Sequence, residues 1–442
     1  MTFASTTGLS RSPLATNAKG RMRQVPIMAS VRNNMITALD VGANKTCCFI
    51  GLADDNGAVQ VVGIGHQIAG GMNGGAVVAA GAVEMSIRGA VDLAENMAGQ
   101  TTDQAVVGFA GGRPDSQSVT VEVAIAGHEV SDRDLDKAAA VGRAHHSREG
   151  REFLHVLPVG YALDGARGIR DPRSMFGSRL AVDLHLVDVE ANPLHNLESC
   201  LNHVHLGMKD AVFPAYAAGL ACLDADEMDQ GVACIDMGAG TTSVALFAGG
   251  ELVHAGVVPL GGQHVTHDIA YGLTTSNSYA ERLKILHGNV LQSPSDDREC
   301  VDVPQIGEDE ESALRIPRSM LIGIIRPRLD EIFEMLREVL DSSGQPRLVR
   351  RRAVLTGGAC QLPGLGDRAA SMLDMQVRLG RPVHVGGLAE LTAGPAFSTC
   401  AGLLLCGARA AAQGRRGKHG GHLAASGAGP FGRVGRWLRE NF

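Results

Sequence analysis

Two short loops rich in aspartate and glycine carry the chemistry of this sequence. The first, Asp40-Val-Gly-Ala-Asn-Lys45, follows an apolar segment, and the second, Asp236-Met-Gly-Ala-Gly-Thr241, follows another. Glycine lets a backbone approach phosphate oxygens closely, and positive φ angles at Gly42, Gly238 and Gly240 would turn successive N–H groups toward the anion. The repetition predicts two related half-molecules that face one bound phosphate tail.

The polar side chains of these loops suit a cation and its phosphates. Asp40 and Asp236 are predicted to hold water molecules around a Mg²⁺ ion, which keeps several of its waters while it bridges phosphate oxygens. Lys45 supplies a positive charge, and Thr241 and Thr242 supply hydroxyl donors.

The composition limits the possible functions. The chain has 442 residues with 45% hydrophobic but only 4% aromatic content, which predicts two or more domains with cores of Ala, Val, Leu and Ile. A net charge of −7 argues against nucleic-acid binding. The nine cysteines are an odd number without a Cys-x-x-Cys pair, which indicates the reducing cytoplasm.

The first loop belongs to a segment with α/β character. We predict two paired strands at 35–39 and 46–51, followed by a third strand at 58–64. A helix at 78–98 and a further strand at 104–109 come next. Residues 112–188 break this rhythm with alternating strands and one polar helix. They predict a small inserted subdomain.

The second loop lies in a segment that repeats this order. Strands are predicted at 231–236, 242–247 and 251–258, and residues 262–340 are predicted to be mostly helical, with an acidic loop at 293–311. A strand at 352–356 then leads into a third glycine-rich turn, Thr356-Gly-Gly-Ala359.

Residues 431–442 have an amphipathic pattern. On a helix, one face would carry apolar residues and the other basic ones: Phe431, Val434, Trp437, Leu438 and Phe442 against Arg433, Arg436 and Arg439. This pattern favours binding to an anionic membrane surface, with residues 411–429 as a flexible tether. The alternative is a terminal helix docked on its own domain.

Further stretches connect these motifs to a known family. They are His155-Val-Leu-Pro158, residues 276–288, 354–364 and 397–403, and the end Trp437-Leu-Arg-Glu-Asn-Phe442. With the loops, they resemble the actin, sugar-kinase and heat-shock chaperone ATPase superfamily. Within it, nearly the whole chain is similar to the FtsA family of bacterial cell-division proteins.

The resemblance implies an α/β fold of the actin-like (ribonuclease-H-like) type, with duplicated domains around a nucleotide cleft, an FtsA-type inserted subdomain and a C-terminal amphipathic helix. The implied boundaries are a disordered leader at 1–34, a first domain at 35–111 and 189–230, the inserted subdomain at 112–188, a second domain at 231–260 and 341–406, a helical subdomain at 261–340, a flexible linker at 407–429 and a membrane-targeting helix at 430–442.

The resemblance also implies site residues. Phosphates would be held by Gly42, Ala43, Asn44, Lys45, Gly238, Ala239, Gly240, Thr241 and Thr242, and the Mg²⁺ shell by Asp40 and Asp236. Adenosine would be held by Gly357, Gly358 and Ala359, with Glu281 and Lys284 approaching the base or ribose.

The implied role is structural. The family binds ATP, polymerises, and tethers filaments of the tubulin-like protein FtsZ to the cytoplasmic face of the inner membrane at the division septum. Later division proteins are then recruited, and residues 261–340 are where the family docks the FtsZ C-terminal tail.

The expected hydrolysis of ATP is slow or absent. Actin positions the attacking water with a glutamine, whereas the comparable residues 212–220 contain no Gln, Glu or His. An active kinase or a chaperone-like ATPase of the same superfamily is the alternative from another class. A pilus-assembly or shape-determining actin homologue is a third possibility.

Overall fold

A computed structural model of the chain describes residues 34–54, 57–307, 313–344 and 352–418. Most of the predicted leader, residues 419–429 of the predicted linker and the predicted membrane-targeting helix lie outside the described residues.

The described chain alternates strands and helices. The strands are β1 (Met35–Val41), β2 (Lys45–Ala53), β3 (Val59–Ile68), β4 (Met72–Asn73), β5 (Ala76–Val77), β6 (Gln104–Gly108), β7 (Asp115–Ala124), β8 (Arg151–Leu163), β9 (Ala166–Ile169), β10 (Arg179–Glu190), β11 (Gly207–Val212), β12 (Val232–Met237), β13 (Thr242–Ala248), β14 (Glu251–Val258), β15 (Cys300–Val303), β16 (Leu314–Pro317), β17 (Arg352–Thr356), β18 (Gln376–Leu379) and β19 (Val385–Gly386). The α-helices are α1 (Ala80–Ala98), α2 (Asp132–His146), α3 (Ala191–His203), α4 (Pro214–Cys222), α5 (Ala225–Gln230), α6 (Gly262–Gly272), α7 (Asn277–His287), α8 (Arg318–Ser342), α9 (Leu365–Leu373) and α10 (Ser398–Lys418).

Two sheets share one strand order, which confirms the predicted duplication. Read in the same direction, the first sheet runs β3-β2-β1-β6-β11 and the second runs β14-β13-β12-β17-β18. The first sheet has one additional strand, β19, beside β3. In each, an antiparallel hairpin carries the loop: β1 pairs with β2, and β12 pairs with β13. In each, a parallel strand also lies beside the first strand of the hairpin, β6 beside β1 and β17 beside β12. The two loops therefore occupy equivalent positions in the two halves.

The central strands are apolar on both faces because helices cover both sides of each sheet. In β2, Cys47, Cys48, Phe49 and Ile50 are completely buried, and β12 is buried in the same way at Cys234. Continuous apolar runs of this kind are typical of sheet strands buried on both faces. Most of the buried side chains in the described core are aliphatic, as the composition predicts.

The inserted sheet has the order β7-β10-β8-β9 and packs against α2 around its own apolar core. Its two ends join the first domain where Glu190 N donates to Gly112 O. Near this junction, the carboxylate of Asp188 is nearly inaccessible and accepts from Arg148 Nη2 and Arg151 Nε, each at 2.6 Å. Two guanidinium groups thus neutralise one buried carboxylate.

Replacing Asp188 with asparagine is expected to lower the free energy of unfolding by about 2 kcal/mol, because it removes charge-assisted hydrogen bonds. The matched control is Asp183→Asn, in the same strand, whose side chain is exposed and accepts from Thr120. That control should change the free energy of unfolding by no more than about 0.5 kcal/mol. Urea denaturation measures both, and equal losses would contradict a special role for the buried carboxylate.

The last described helix belongs to the first domain, so the predicted boundaries 341–406 and 407–429 are wrong in part. β19 pairs in parallel with β3, and α10 packs on α4 and on β1, so residues from Val385 onward return to the first sheet. The expected linker is helical as far as Lys418. Its glycine and alanine residues suggested a tether, but Gly407 lies directly against Ile36 because it has no side chain.

α10 also resembles a membrane span in its composition. Pro395–Ala412 is long and apolar enough to cross a bilayer, yet half of this segment is buried inside the fold. Its apolar residues are therefore explained by packing on the first domain.

The segment predicted to be mostly helical contains α6, α7 and α8 around a second apolar core. The acidic loop expected at 293–311 includes β15, which pairs with β16 in a small antiparallel hairpin. The sequence did not indicate this hairpin because both strands are only four residues long.

Candidate functional site

A cavity of about 500 Å³ lies where the two loops meet. Its lining includes Asp40 and Lys45 from the first half, and Asp236 and Thr241 from the second. This volume is within the range of pockets that take a small ligand or cofactor. The cavity is also at the carboxyl ends of the parallel strands β1, β6, β12 and β17, where ligands of open α/β sheets usually bind.

The two loops have the same backbone geometry. Gly42 N donates to Lys45 O at 3.0 Å, and Gly238 N donates to Thr241 O at 2.9 Å. Each aspartate is the next-to-last residue of its strand, two residues before the glycine. The loops approach each other so closely that a Cβ on Gly240 would lie 3.0 Å from Ala43 Cβ. They therefore form one continuous backbone surface.

The reason for glycine at these positions differs from the prediction. Gly42, Gly238 and Gly240 do not have the positive φ angles that were expected. A Cβ on Gly42 would instead lie 2.8 Å from Lys45 O, and one on Gly238 would lie 3.0 Å from Thr241 O. Close approach inside each turn, and not left-handed backbone, is what requires glycine.

The two aspartates face each other across the cavity. Burial, reinforced by the Asp236 charge and opposed by Lys45, raises the pKa of Asp40 to about 6. Burial also raises the pKa of Asp236, and a hydrogen bond from Thr399 Oγ1 at 2.7 Å opposes this shift. Both side chains keep a little exposed surface because they line the cavity, although protein atoms enclose them. Two enclosed carboxylates that repel each other favour a bound cation between them.

The third glycine turn contacts the second loop directly. Gly357 has a φ of +87°, and a Cβ there would lie 2.4 Å from Asp236 Oδ1 and 2.5 Å from Met237 O. Only glycine allows the backbone to pass this close to the β12 strand end. Gly357, Gly358 and Ala359 all line the cavity.

Glu281 and Lys284 also line the cavity and form an ion pair with each other at 2.7 Å. Lys284 Nζ donates to Gly262 O at 2.9 Å and to Thr266 Oγ1 at 2.7 Å. Thr266 Oγ1 in turn donates to Glu281 Oε2. The three N–H groups of Lys284 are thus used within the protein. Its role is to hold Glu281 and the start of α6 in place.

Among the predicted nucleotide-site residues, all of which the structure describes, Thr242 alone does not line the cavity. It is fully buried, and its hydroxyl donates to Leu260 O at 2.8 Å. Adjacent residues of a strand point to opposite faces. Ser243, the next residue, lines the cavity instead.

Several cavity residues were not identified from the sequence. Ala396 and Thr399 come from the turn before α10 and from its first residues, while Gly108 ends β6 and Phe109 follows it. The β6 residues could have been expected, because Gly108 is the parallel neighbour of Asp40. Residues 397–403 contribute to the family resemblance, but nothing in their sequence indicates that Thr399 contacts Asp236, 163 residues earlier in the chain.

The described lining has few groups that could act as a general base. Its carboxylates are Asp40, Asp236 and Glu281, and it contains no histidine. At the start of α4, Phe213 is fully buried and Pro214 lines the cavity. The start of α4 therefore offers no side chain that could act as a general base or orient an attacking water molecule.

Comparisons with known proteins agree with this geometry. The family model described as Cell division protein FtsA matches residues 233–402, and the model described as SHS2 domain inserted in FTSA matches residues 111–188. The chain is 42% identical to Cell division protein FtsA of Rhizobium meliloti (strain 1021), over 96% of this chain and 97% of that protein. It is 30% identical to Cell division protein FtsA of Escherichia coli (strain K12), over 92% of this chain and 98% of that protein.

The structure is similar to a chain of a PilM-PilN type IV pilus biogenesis complex, with a TM-score of 0.61 and 17% identity, over 84% of this chain and 98% of that chain. This likeness concerns the fold. The predicted actin-like fold with an inserted subdomain is confirmed.

Proposed function

The chain belongs to the FtsA family of cell division proteins, and from this membership we propose that it binds ATP with Mg²⁺ and anchors the FtsZ ring to the membrane. Anchoring that ring is the role of the family. The observation that carries the nucleotide part of the proposal is the pair of equivalent loops, which bring Asp40 and Asp236 to one cavity.

The residues around the cavity fit this ligand. Two mutually repelling, enclosed carboxylates suit a divalent cation with part of its water shell, which would neutralise phosphate charge. Lys45 and the backbone N–H groups of the two loops would hold the phosphates. Gly357–Ala359 and Glu281 would hold the adenosine, since the hydrogen bonds of Glu281 use Oε2 and leave Oε1 for a ribose hydroxyl.

Hydrolysis in this proposal is slow or absent. Phe213 and Pro214 occupy the start of α4 and offer no group that could orient a water molecule. ATP would then act as a switch, by binding more tightly to the state that polymerises. The lack of such a group at the start of α4 also argues against an active kinase or a chaperone-like ATPase, because both need catalytic turnover of ATP.

The remaining steps follow from polymerisation. Each chain would bind the FtsZ C-terminal tail through residues 261–340 and the anionic membrane through residues 430–442, which lie outside the described residues. One amphipathic segment binds a membrane reversibly, whereas a filament with many copies gains avidity. We place the protein at the cytoplasmic face of the inner membrane at the division septum, where it recruits further division proteins.

A liposome co-sedimentation experiment tests this proposal. With ATP, Mg²⁺ and anionic liposomes, the intact chain is expected to sediment and to carry an FtsZ C-terminal peptide with it. A chain ending at Gly429 should remain in the supernatant, because it lacks the basic and apolar residues of 430–442. Equal sedimentation of both chains, or no recruitment of the peptide by either, would contradict the proposed anchoring of FtsZ to the membrane.

Two single substitutions sharpen the comparison. Trp437→Glu places a charge on the predicted apolar face and should weaken sedimentation, whereas Glu440→Gln lies on the predicted polar face and should retain or strengthen it. Loss of sedimentation in both variants would indicate a general disturbance and not membrane binding through one face.

A further inference from the structure

A short segment without any glycine-rich motif meets both loops. Pro395–Phe397 forms a 3-10 turn directly before α10. Ala396 O accepts from Lys45 Nζ at 2.5 Å, and Thr399 Oγ1 donates to Asp236 Oδ2 at 2.7 Å. One segment therefore holds a charged side chain from each half of the molecule.

Phe397 adds a contact of a different kind. The Lys45 ammonium lies 3.6 Å from the centroid of the Phe397 ring. The face of an aromatic ring carries partial negative charge and attracts a cation, and the attraction grows where water is excluded. Lys45 is thus held by a carbonyl oxygen and by a ring face.

Two further rings hold the Phe397 ring in place. It stacks on Phe49 with centroids 6.0 Å apart and an interplanar angle of 12°, and Phe49 is fully buried in β2. The His66 ring meets it edge-on at 6.0 Å. Displacing the Phe397 ring would therefore disturb the core of the first sheet.

These contacts leave part of the ammonium available to a ligand. A lysine ammonium has three N–H donors. Ala396 accepts one of them, the ring covers one side, and Lys45 still lines the cavity. We propose that Phe397 is a positioning residue for phosphate binding: its ring holds the Lys45 ammonium at the cavity wall with a donor directed to the phosphate tail. This inference rests on the proposed nucleotide binding.

Fluorination of the ring tests the proposal without changing its shape much. Phenylalanines with one, two and three fluorine atoms are introduced at position 397 by site-specific incorporation, and binding of Mg·ADP, Mg·ATP and adenosine is measured by calorimetry. Fluorine withdraws electron density from the ring face. Affinity for the two phosphorylated nucleotides should therefore fall stepwise, by about fivefold in total, while affinity for adenosine stays constant.

The matched control is the same series at Phe247, a buried ring that stacks on Tyr216 with centroids 6.0 Å apart. It should leave all three affinities unchanged. A second pair of variants checks the result with ordinary residues: Phe397→Tyr should retain nucleotide affinity, and Phe397→Leu should lose about as much as the trifluorinated ring.

The possible outcomes are distinct. An unchanged affinity across the series at position 397 would overturn the inference while nucleotide binding stands. A stepwise rise would overturn it as well, because the ring would then compete with the phosphate for Lys45. An equal fall in adenosine affinity would contradict the inference, because it would mean that Phe397 has only a general structural role. Failure of the unmodified protein to bind any nucleotide would overturn both this inference and the proposed function.

Discussion

The Asp40→Asn variant is expected to be more stable than the natural protein at pH 7 and to bind Mg·ATP about a hundredfold more weakly. The carboxylate of Asp40 is enclosed and faces Asp236, which is why its pKa is raised to about 6. Asparagine has the same shape without the charge. Groups that are unfavourable to the fold and necessary for a ligand are common at functional sites.

The sign of the stability change follows from the pKa. The folded protein binds the Asp40 proton more tightly than the unfolded chain does, so stability falls as the pH rises from the ordinary pKa of 3.8 to about 6. The full shift corresponds to about 3 kcal/mol, and the partial exposure of Asp40 to the cavity reduces it to about 2 kcal/mol. Asp40→Asn should therefore gain about 2 kcal/mol at pH 7 and nothing below pH 4.

Urea denaturation of the ligand-free protein between pH 4 and pH 8 measures this gain, and calorimetry with ATP and Mg²⁺ measures the loss of binding. The loss should be about a hundredfold, the upper end of the effect of disturbing a metal site. Asp92→Asn, an exposed position on α1, is the control and should change neither quantity. A variant that binds Mg·ATP normally would remove Asp40 from the cation site.

The second large effect is expected from Gly402→Ala. Gly402 lies in α10 where this helix crosses α4, and a Cβ there would lie 1.8 Å from Ala217 O. The clash is with backbone, which cannot rotate away as a side chain would. The helices must separate, and the free energy of unfolding should fall by about 4 kcal/mol.

The same variant should also weaken nucleotide binding, because α10 carries Thr399, the hydrogen-bond donor to Asp236. The matched control is Gly323→Ala on α8, where no atom lies within 4 Å of the added Cβ. That control should gain up to about 1 kcal/mol from the better helix propensity of alanine. Thermal unfolding measures both variants, and a harmless Gly402→Ala would mean that the two helices pack less closely than described.

The local elements of this protein could be predicted from its sequence. Strands such as β13 and β14 are apolar runs between turns, and the predicted bounds of β14 agree with the structure. The two loops were predicted to be equivalent because Asp, Gly and a donor recur at the same spacing after an apolar strand. All of the residues predicted to hold phosphate, Mg²⁺ or adenosine, except Thr242, line the cavity.

The sequence did not reveal where distant segments pack. The Gly, Ala, Ser and basic residues of 411–429 predicted a flexible tether, but residues as far as Lys418 continue α10, because small residues also permit tight helix packing. The wrong position of Thr242 has a related cause: the side a strand residue faces depends on what covers each face of the sheet.

The sequence by itself therefore determined the duplicated α/β architecture, the family, and the two loops and the glycine turn that meet at the cavity, since these depend on local patterns and motifs. Only the tertiary structure decided which segment holds Lys45 and Asp236. Ala396 and Phe397 are 351 and 352 residues from Lys45, and nothing in their sequence indicates that they contact it. They meet it because α10 returns to the first sheet, and close packing of small residues across the whole fold selects that return.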